Sequence, residues 1–122
     1  MGLFGKLFGK NEDSNPKKQP EDYFETKITD TYIEVTHPKR ATERINWDEI
    51  DEIVLVNTED GPFLPDVWMV LAGNNNGCSI PQGSKGWDDV YAIVSKFEGF
   101  GFEKVIESAA CTENATFLVW KK

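Results

Sequence analysis

Apolar and polar positions follow three rhythms along this 122-residue chain, and each predicts a different kind of element. YFETKI and TYIEVT are short runs rich in β-branched and aromatic residues on either side of Thr29 and Asp30, which predicts a β-hairpin beginning near Tyr23. HPKRATER is uniformly polar and reads as a connection. In RINWDEIDEIVLV, Trp47, Ile50 and Val54 recur at helical spacing while Ile53 to Val56 are continuously apolar, so one helical turn is expected to feed a buried strand. NTEDGPFLPD reads as a turn-rich loop, because Pro62 and Pro65 cannot continue a hydrogen-bonded ladder. VWMVLA reads as a second buried strand. GNNNG is expected to supply the positive-φ residues of a hairpin turn into CSIP.

The rhythm then lengthens. WDDVYAIVSKF places Trp87, Val90, Tyr91, Val94 and Phe97 on one helical face, with Asp88 and Asp89 in the first turn, where the helix dipole favours carboxylates. After the Gly99 to Gly101 break, FEKVIESAA repeats the pattern through Phe102, Val105, Ile106 and Ala109. TFLVW is a last strand. Strands, two helices and one more strand predict an α+β domain spanning 23–122: a mainly antiparallel sheet of six or seven strands with the helices packed on one face or end.

The stretch carrying Ile45, Trp47, Ile50 and Ile53, after a hairpin and before further strands and a late helix, resembles the central part of bacterial pleckstrin-homology-like domains. That resemblance implies a PH-like fold over about half the chain. Lipid-binding members of that family carry basic residues around the first hairpin, whereas Glu25 and Glu34 flank it here. In general character the small acidic domain also resembles bacterial immunity proteins that mask a toxin.

Composition changes the picture at the N-terminus. Residues 11–22, NEDSNPKKQPED, lack any aliphatic or aromatic side chain and read as a linker. Ahead of it, MGLFGKLFGK wound as a helix would set Leu3, Phe4, Leu7 and Phe8 in an arc of about 140°, beside Lys6 and Lys10. Burying those four side chains would contribute about 6 to 12 kcal/mol. Ordering the segment costs about 8 to 16 kcal/mol. Such a segment is expected to bind a bilayer or a protein groove reversibly. Lys6 interrupts a secretory core and occupies the position where myristoylation expects Ser or Thr.

Charge narrows the partners. The formal net charge is −8, but residues 1–20 carry four Lys against Glu12 and Asp13, leaving nine basic and nineteen acidic side chains, a net −10, in residues 21–122. That field opposes nucleic acid and anionic lipid and favours a basic partner. The 39% hydrophobic fraction and fifteen aromatics suffice for a core without disulfides. Cys78 and Cys111 are expected as two reduced, buried thiols of a cytosolic protein.

Candidate chemistry is sparse. The sole histidine, His37, lies in the polar HPKR stretch, and no spacing brings it to either cysteine, so no catalytic residue is assigned. No metal site or cofactor is assigned either: zinc spacing is lacking, and Glu59, Asp60 and Asp66 lack the alternation of a calcium loop. The acidic set Asp48, Glu49, Asp51 and Glu52 is expected to be solvated. An unrecognised hydrolase stays open as an alternative, since separation in sequence says nothing about separation of carboxylates in space. Phe63 and Leu64, held between Pro62 and Pro65, either fold back on the core or form a recognition patch. With Glu59, Asp60 and Asp66 around them they would suit a partner with a basic rim and an apolar pocket. The expected function is therefore a non-enzymatic acidic protein that binds or masks a protein partner, with peripheral docking on the inner membrane surface through residues 1–10 as the alternative.

Overall fold

The computed structural model describes residues 20–58 and 67–122. The segment 1–10 and the patch Glu59, Asp60, Phe63, Leu64 and Asp66 lie outside the described residues. A 3-10 turn, Pro20–Tyr23, leads into strands β1 (Glu25–Ile28), β2 (Tyr32–His37) and β3 (Arg40–Asn46), and a second 3-10 turn, Trp47–Glu49, precedes β4 (Glu52–Asn57). β5 (Val67–Ala72) and β6 (Gly77–Pro81) follow, then helices α1 (Lys85–Val94) and α2 (Phe102–Ala110), and finally β7 (Ala115–Lys121). The strands form two antiparallel sheets, β1-β2-β3 and β6-β5-β4-β7, so the chain is α+β as its pattern predicts.

The first hairpin closes as the β-branched runs suggest. Thr29 makes the turn by itself, its Oγ1 accepting from the amide of Tyr32 at 3.0 Å. HPKRATER is not a connection. It supplies most of β3, whose exposed outer positions tolerate polar side chains because one edge and one face meet water. Glu34 and Arg44 pair across β2 and β3 at 2.6 Å, and Arg44 also lies over the Tyr32 ring. The two sheets meet where β3 approaches β6: the Ser79 amide donates to Glu43 at 2.8 Å, and Asn76 Nδ2 donates to the Arg44 carbonyl at 3.1 Å.

In the turn between β5 and β6 neither Gly73 nor Gly77 takes a positive φ, which Gly83 and Gly99 do adopt. Gly73 is needed for a different reason. A Cβ there would lie 2.7 Å from the Glu49 carbonyl oxygen and 2.9 Å from Ile45. Glu49 in turn accepts from the Asn46 amide at 3.0 Å and from Asn76 Nδ2 at 3.4 Å, so this acidic residue locks a turn.

Ser84 starts α1, accepting from the Trp87 amide while donating to the Pro81 carbonyl at 2.8 Å. Gly86 lets the helix approach β1, for a Cβ there would run into the Thr26 side chain. The helix stops at Val94, earlier than its apolar face suggests, and Phe97 follows in a turn that stacks on Trp120 with ring centroids 5.1 Å apart. The segment after it lies beside β7: Gly101 donates to the Val119 carbonyl at 2.7 Å, and Trp120 Nε1 donates to the Glu98 carbonyl at 3.0 Å. Ile33, Val35 and Ile45 from the first sheet meet Ile53, Leu55, Met69, Leu71, Cys78 and Ile80 from the second, with Val90 and Val94 of α1 beneath them.

A candidate interaction face

Strand alternation divides the four-stranded sheet into two faces of opposite character. Ile53, Leu55 and Asn57 of β4 are buried, and so are their neighbours Met69, Leu71, Cys78 and Ile80. This inner face carries the core and receives α2. Val54 and Val56 point the other way. Val54 pairs with Val70 and Leu118, and Val56 pairs with Trp68 and Thr116. Val54, Val56, Trp68 and Val70 are half-buried, Leu118 is 45% exposed, and all five stand outside the core cluster. The runs IVLV and VWMVLA, expected as buried strands, are thus buried on one face only.

Continuous apolar runs are characteristic of sheets covered on both faces. At one corner of the outer face Phe24 packs edge-on against Trp68 at 5.3 Å and Arg40 lies 5.3 Å from the same ring. His37, the last residue of β2, belongs to this corner: it stacks on Phe24 at 4.5 Å and accepts at Nδ1 from the Lys39 amide. Its expected place in a polar connection gives way to an aromatic cluster. Glu52 occupies the same outward row as Val54 and Val56 at the far end of β4.

α2 corrects a second expectation. Of the apolar face assigned to it, Phe102 is 51% exposed and Ile106 69% exposed, while Val105 is half-buried and Ala109 exposed. The buried residue is Ser108. Its Oγ donates to Asn57 Oδ1 at 2.6 Å, and Asn57 Nδ2 donates to the Ser108 and Cys111 carbonyls at 2.9 and 3.4 Å. Asn57, expected in a loop, is the last residue of β4, and its amide satisfies carbonyls that the end of a helix leaves without intrahelical partners. A buried amide and hydroxyl must find each other, so this pair sets the rotation of α2 at the expense of its hydrophobic arc. Neither Asn57 nor Ser108 stood out in the sequence; an Asn at the end of an apolar run and a Ser in an apolar helix are the signal they left.

A cleft of about 300 Å³ lies beside this clamp, lined by Leu55, Val67 and Trp87 with Val105, Ser108 and Cys111. The Ser108 hydroxyl in its wall is committed to Asn57. Cys78 is buried and donates to the Ile33 carbonyl at 3.6 Å, and burial together with Glu43 pushes its thiol up to about 12. Cys111 is partly exposed rather than buried, because it follows the last turn of α2 at the surface. Among the described residues no three His, Cys, Asp or Glu side chains gather as a metal site, and no helix is long and apolar enough to cross a membrane. Asp51 pairs with Lys122 at 3.7 Å, and Lys122 also donates to the Asp48 carbonyl, so the acidic set around the second 3-10 turn is partly tied to the end of β7. The chain matches no family model, no curated protein and no solved structure.

Proposed function

We propose that this chain is a non-enzymatic acidic interaction protein, of adaptor or masking type as in immunity proteins, that binds a protein partner over the outer face of the four-stranded sheet. One observation carries the reading: Val54, Val56, Trp68, Val70 and Leu118 form an adjoining apolar row that the helices leave uncovered. Apolar patches of this kind on a small domain mark contact sites. The net −10 of residues 21–122 selects a partner with apolar side chains inside a basic rim, since complementary charge speeds encounter and rejects acidic competitors.

The test is affinity purification with the full chain as bait, followed by the same experiment with Val56→Lys and with Ile106→Lys. A partner retained by the natural chain and by Ile106→Lys but lost with a folded Val56→Lys supports this face. Retention of every partner by Val56→Lys would remove it.

A further inference from the structure

We infer that the cleft between α2 and the inner face of the four-stranded sheet binds a small, neutral, ring-bearing molecule that presents one hydrogen-bond acceptor to Trp87. The site lies on the opposite side of the sheet from the docking face and stands independently of it.

The way α2 is held makes the cleft. Asn57 and Ser108 pin the end of the helix to β4, and Ala109, which borders the cleft, is too small to fill the space this rotation leaves. Leu55 and Val67 form the sheet side and Val105 the helix side, while the Gln82 amide closes one rim by donating to the Val67 carbonyl at 2.9 Å. The volume of about 300 Å³ stands at the lower end of the range for small-molecule sites, roughly 300 to 1,000 Å³, and suits one ring with a short substituent.

One polar group in the wall has no partner. Trp47 donates its indole N–H to the Thr29 carbonyl at 2.8 Å, and Trp120 donates to the Glu98 carbonyl at 3.0 Å. Trp87 is only 8% exposed, yet its Nε1 has no acceptor among the described residues. A buried indole N–H ordinarily finds one. Nor is this N–H sealed in, because Thr26 Oγ1 is the one fully enclosed side-chain polar atom without a partner among the described residues. The narrow strip of surface that Trp87 retains therefore includes its N–H, and the space that the ring borders is the cleft. The residue is held in place by the helix cap, where its amide donates to Ser84 Oγ at 3.3 Å.

The other polar groups restrict what can enter. Ser108 Oγ is committed to Asn57, and Cys111 Sγ to the Glu113 carbonyl at 3.4 Å. Among the described residues no charged side chain lines the cleft, so an ion would enter without a counter-charge, and the acidic domain adds repulsion for anions. An indole N–H only donates. The complementary ligand is an uncharged ring compound carrying a carbonyl or ether oxygen.

Correlation spectra of amide and indole N–H groups in the isotope-labelled full-length chain test this. Acetophenone is the probe; α-methylstyrene, of the same shape but with a methylene group in place of the carbonyl oxygen, lacks the acceptor, and benzoate is the anionic control. Acetophenone titrated through the millimolar range is expected to move the Trp87 indole resonance, identified by its loss in Trp87→Phe, together with the Val105 and Ala109 amides, to saturation. The indole resonances of Trp47 and Trp120 stay in place, and benzoate moves none of these. Ala109→Leu, which projects a larger side chain into the cleft, abolishes the shifts. In Trp87→Phe, read at the Val105 and Ala109 amides, acetophenone binds roughly threefold or more weakly, whereas α-methylstyrene loses clearly less. Where Trp87→Phe melts early, the indole shift in the natural chain and its loss in Ala109→Leu decide. Absent or unsaturable shifts overturn the proposal, as do shifts that survive Ala109→Leu or that centre on Trp68 and Val70 of the outer face. Equal weakening of both ring compounds in Trp87→Phe, or benzoate binding as well as acetophenone, also overturns it.

Discussion

Ile53 and Val54 are neighbours in sequence with similar side chains, yet one is fully buried and the other half-open, because strand geometry sends them to opposite faces of one sheet. The inner face is sealed by two helices and a second sheet. The outer face carries an apolar row of its own, and Phe24 and Arg40 lie against it at the Trp68 corner. Hydrophobicity alone therefore does not distinguish core from contact surface here; the distribution of covering elements does.

The sharpest test of this contrast is paired truncation. Ile53→Ala should cost about 2 to 5 kcal/mol in urea unfolding, through lost burial and the cavity left behind. Val54→Ala, one residue away, should cost less than about 1 kcal/mol in the same assay. Equal losses would mean that the outer face is covered as tightly as the inner one.

Next in size is the clamp on the inner face. Asn57→Ala removes both partners of the Ser108 hydroxyl and carbonyl side, and should destabilise by about 1 to 3 kcal/mol. Adding Ser108→Ala should then cost clearly less than it does alone, which a double-mutant cycle measures. Additive losses would show that the two side chains act independently.

Gly86→Ala probes the contact of α1 with β1 and should destabilise by about 1 to 3 kcal/mol, although alanine is the better helix former. A gain in melting temperature would mean that the helix can slide away from Thr26. On the outer face, Val70→Thr should shift stability by less than about 1 kcal/mol.

The smallest effect at neutral pH separates the thiols. At pH 8 a disulfide reagent should modify Cys111 readily and leave Cys78 untouched until the protein unfolds. Because the folded thiol of Cys78 titrates above its ordinary value of 9.0, its contribution to stability is complete below about pH 9 and declines as pH rises toward 12. Replacing Cys78 by Ala should remove that alkaline decline while lowering stability overall. A decline that persists in the variant would assign it to other groups.

Much of this architecture is legible from local pattern. The first hairpin, the strands from Glu52 to Pro81, helix α2 and the final strand all follow from periodicity and turn residues. β3 escaped because Arg40 to Arg44 are polar, and a strand with an edge and a face in water need not look like one. The orientation of α2 escaped because its apolar arc points one way and its single buried hydroxyl the other, and the Asn57 to Ser108 bond joins residues 51 apart. The docking face was the least legible. A run such as IVLV announces that a strand is apolar on both sides but carries no information about which side the rest of the chain will cover.

The position of β7 has a consequence for how the fold forms. β4 lies between β5 and β7, so Leu55 borders Met69 on one side and Phe117 on the other. During synthesis the first hairpin and the β4 to β6 meander can pair as they emerge, whereas β4 keeps one ladder open until residues 115–121 arrive. A long loop must then close before that ladder forms, which places its entropy cost in the last step of assembly. A nascent chain halted anywhere in α1 or α2 would present the bare edge of an apolar strand to its neighbours, the condition under which strands add to one another between molecules.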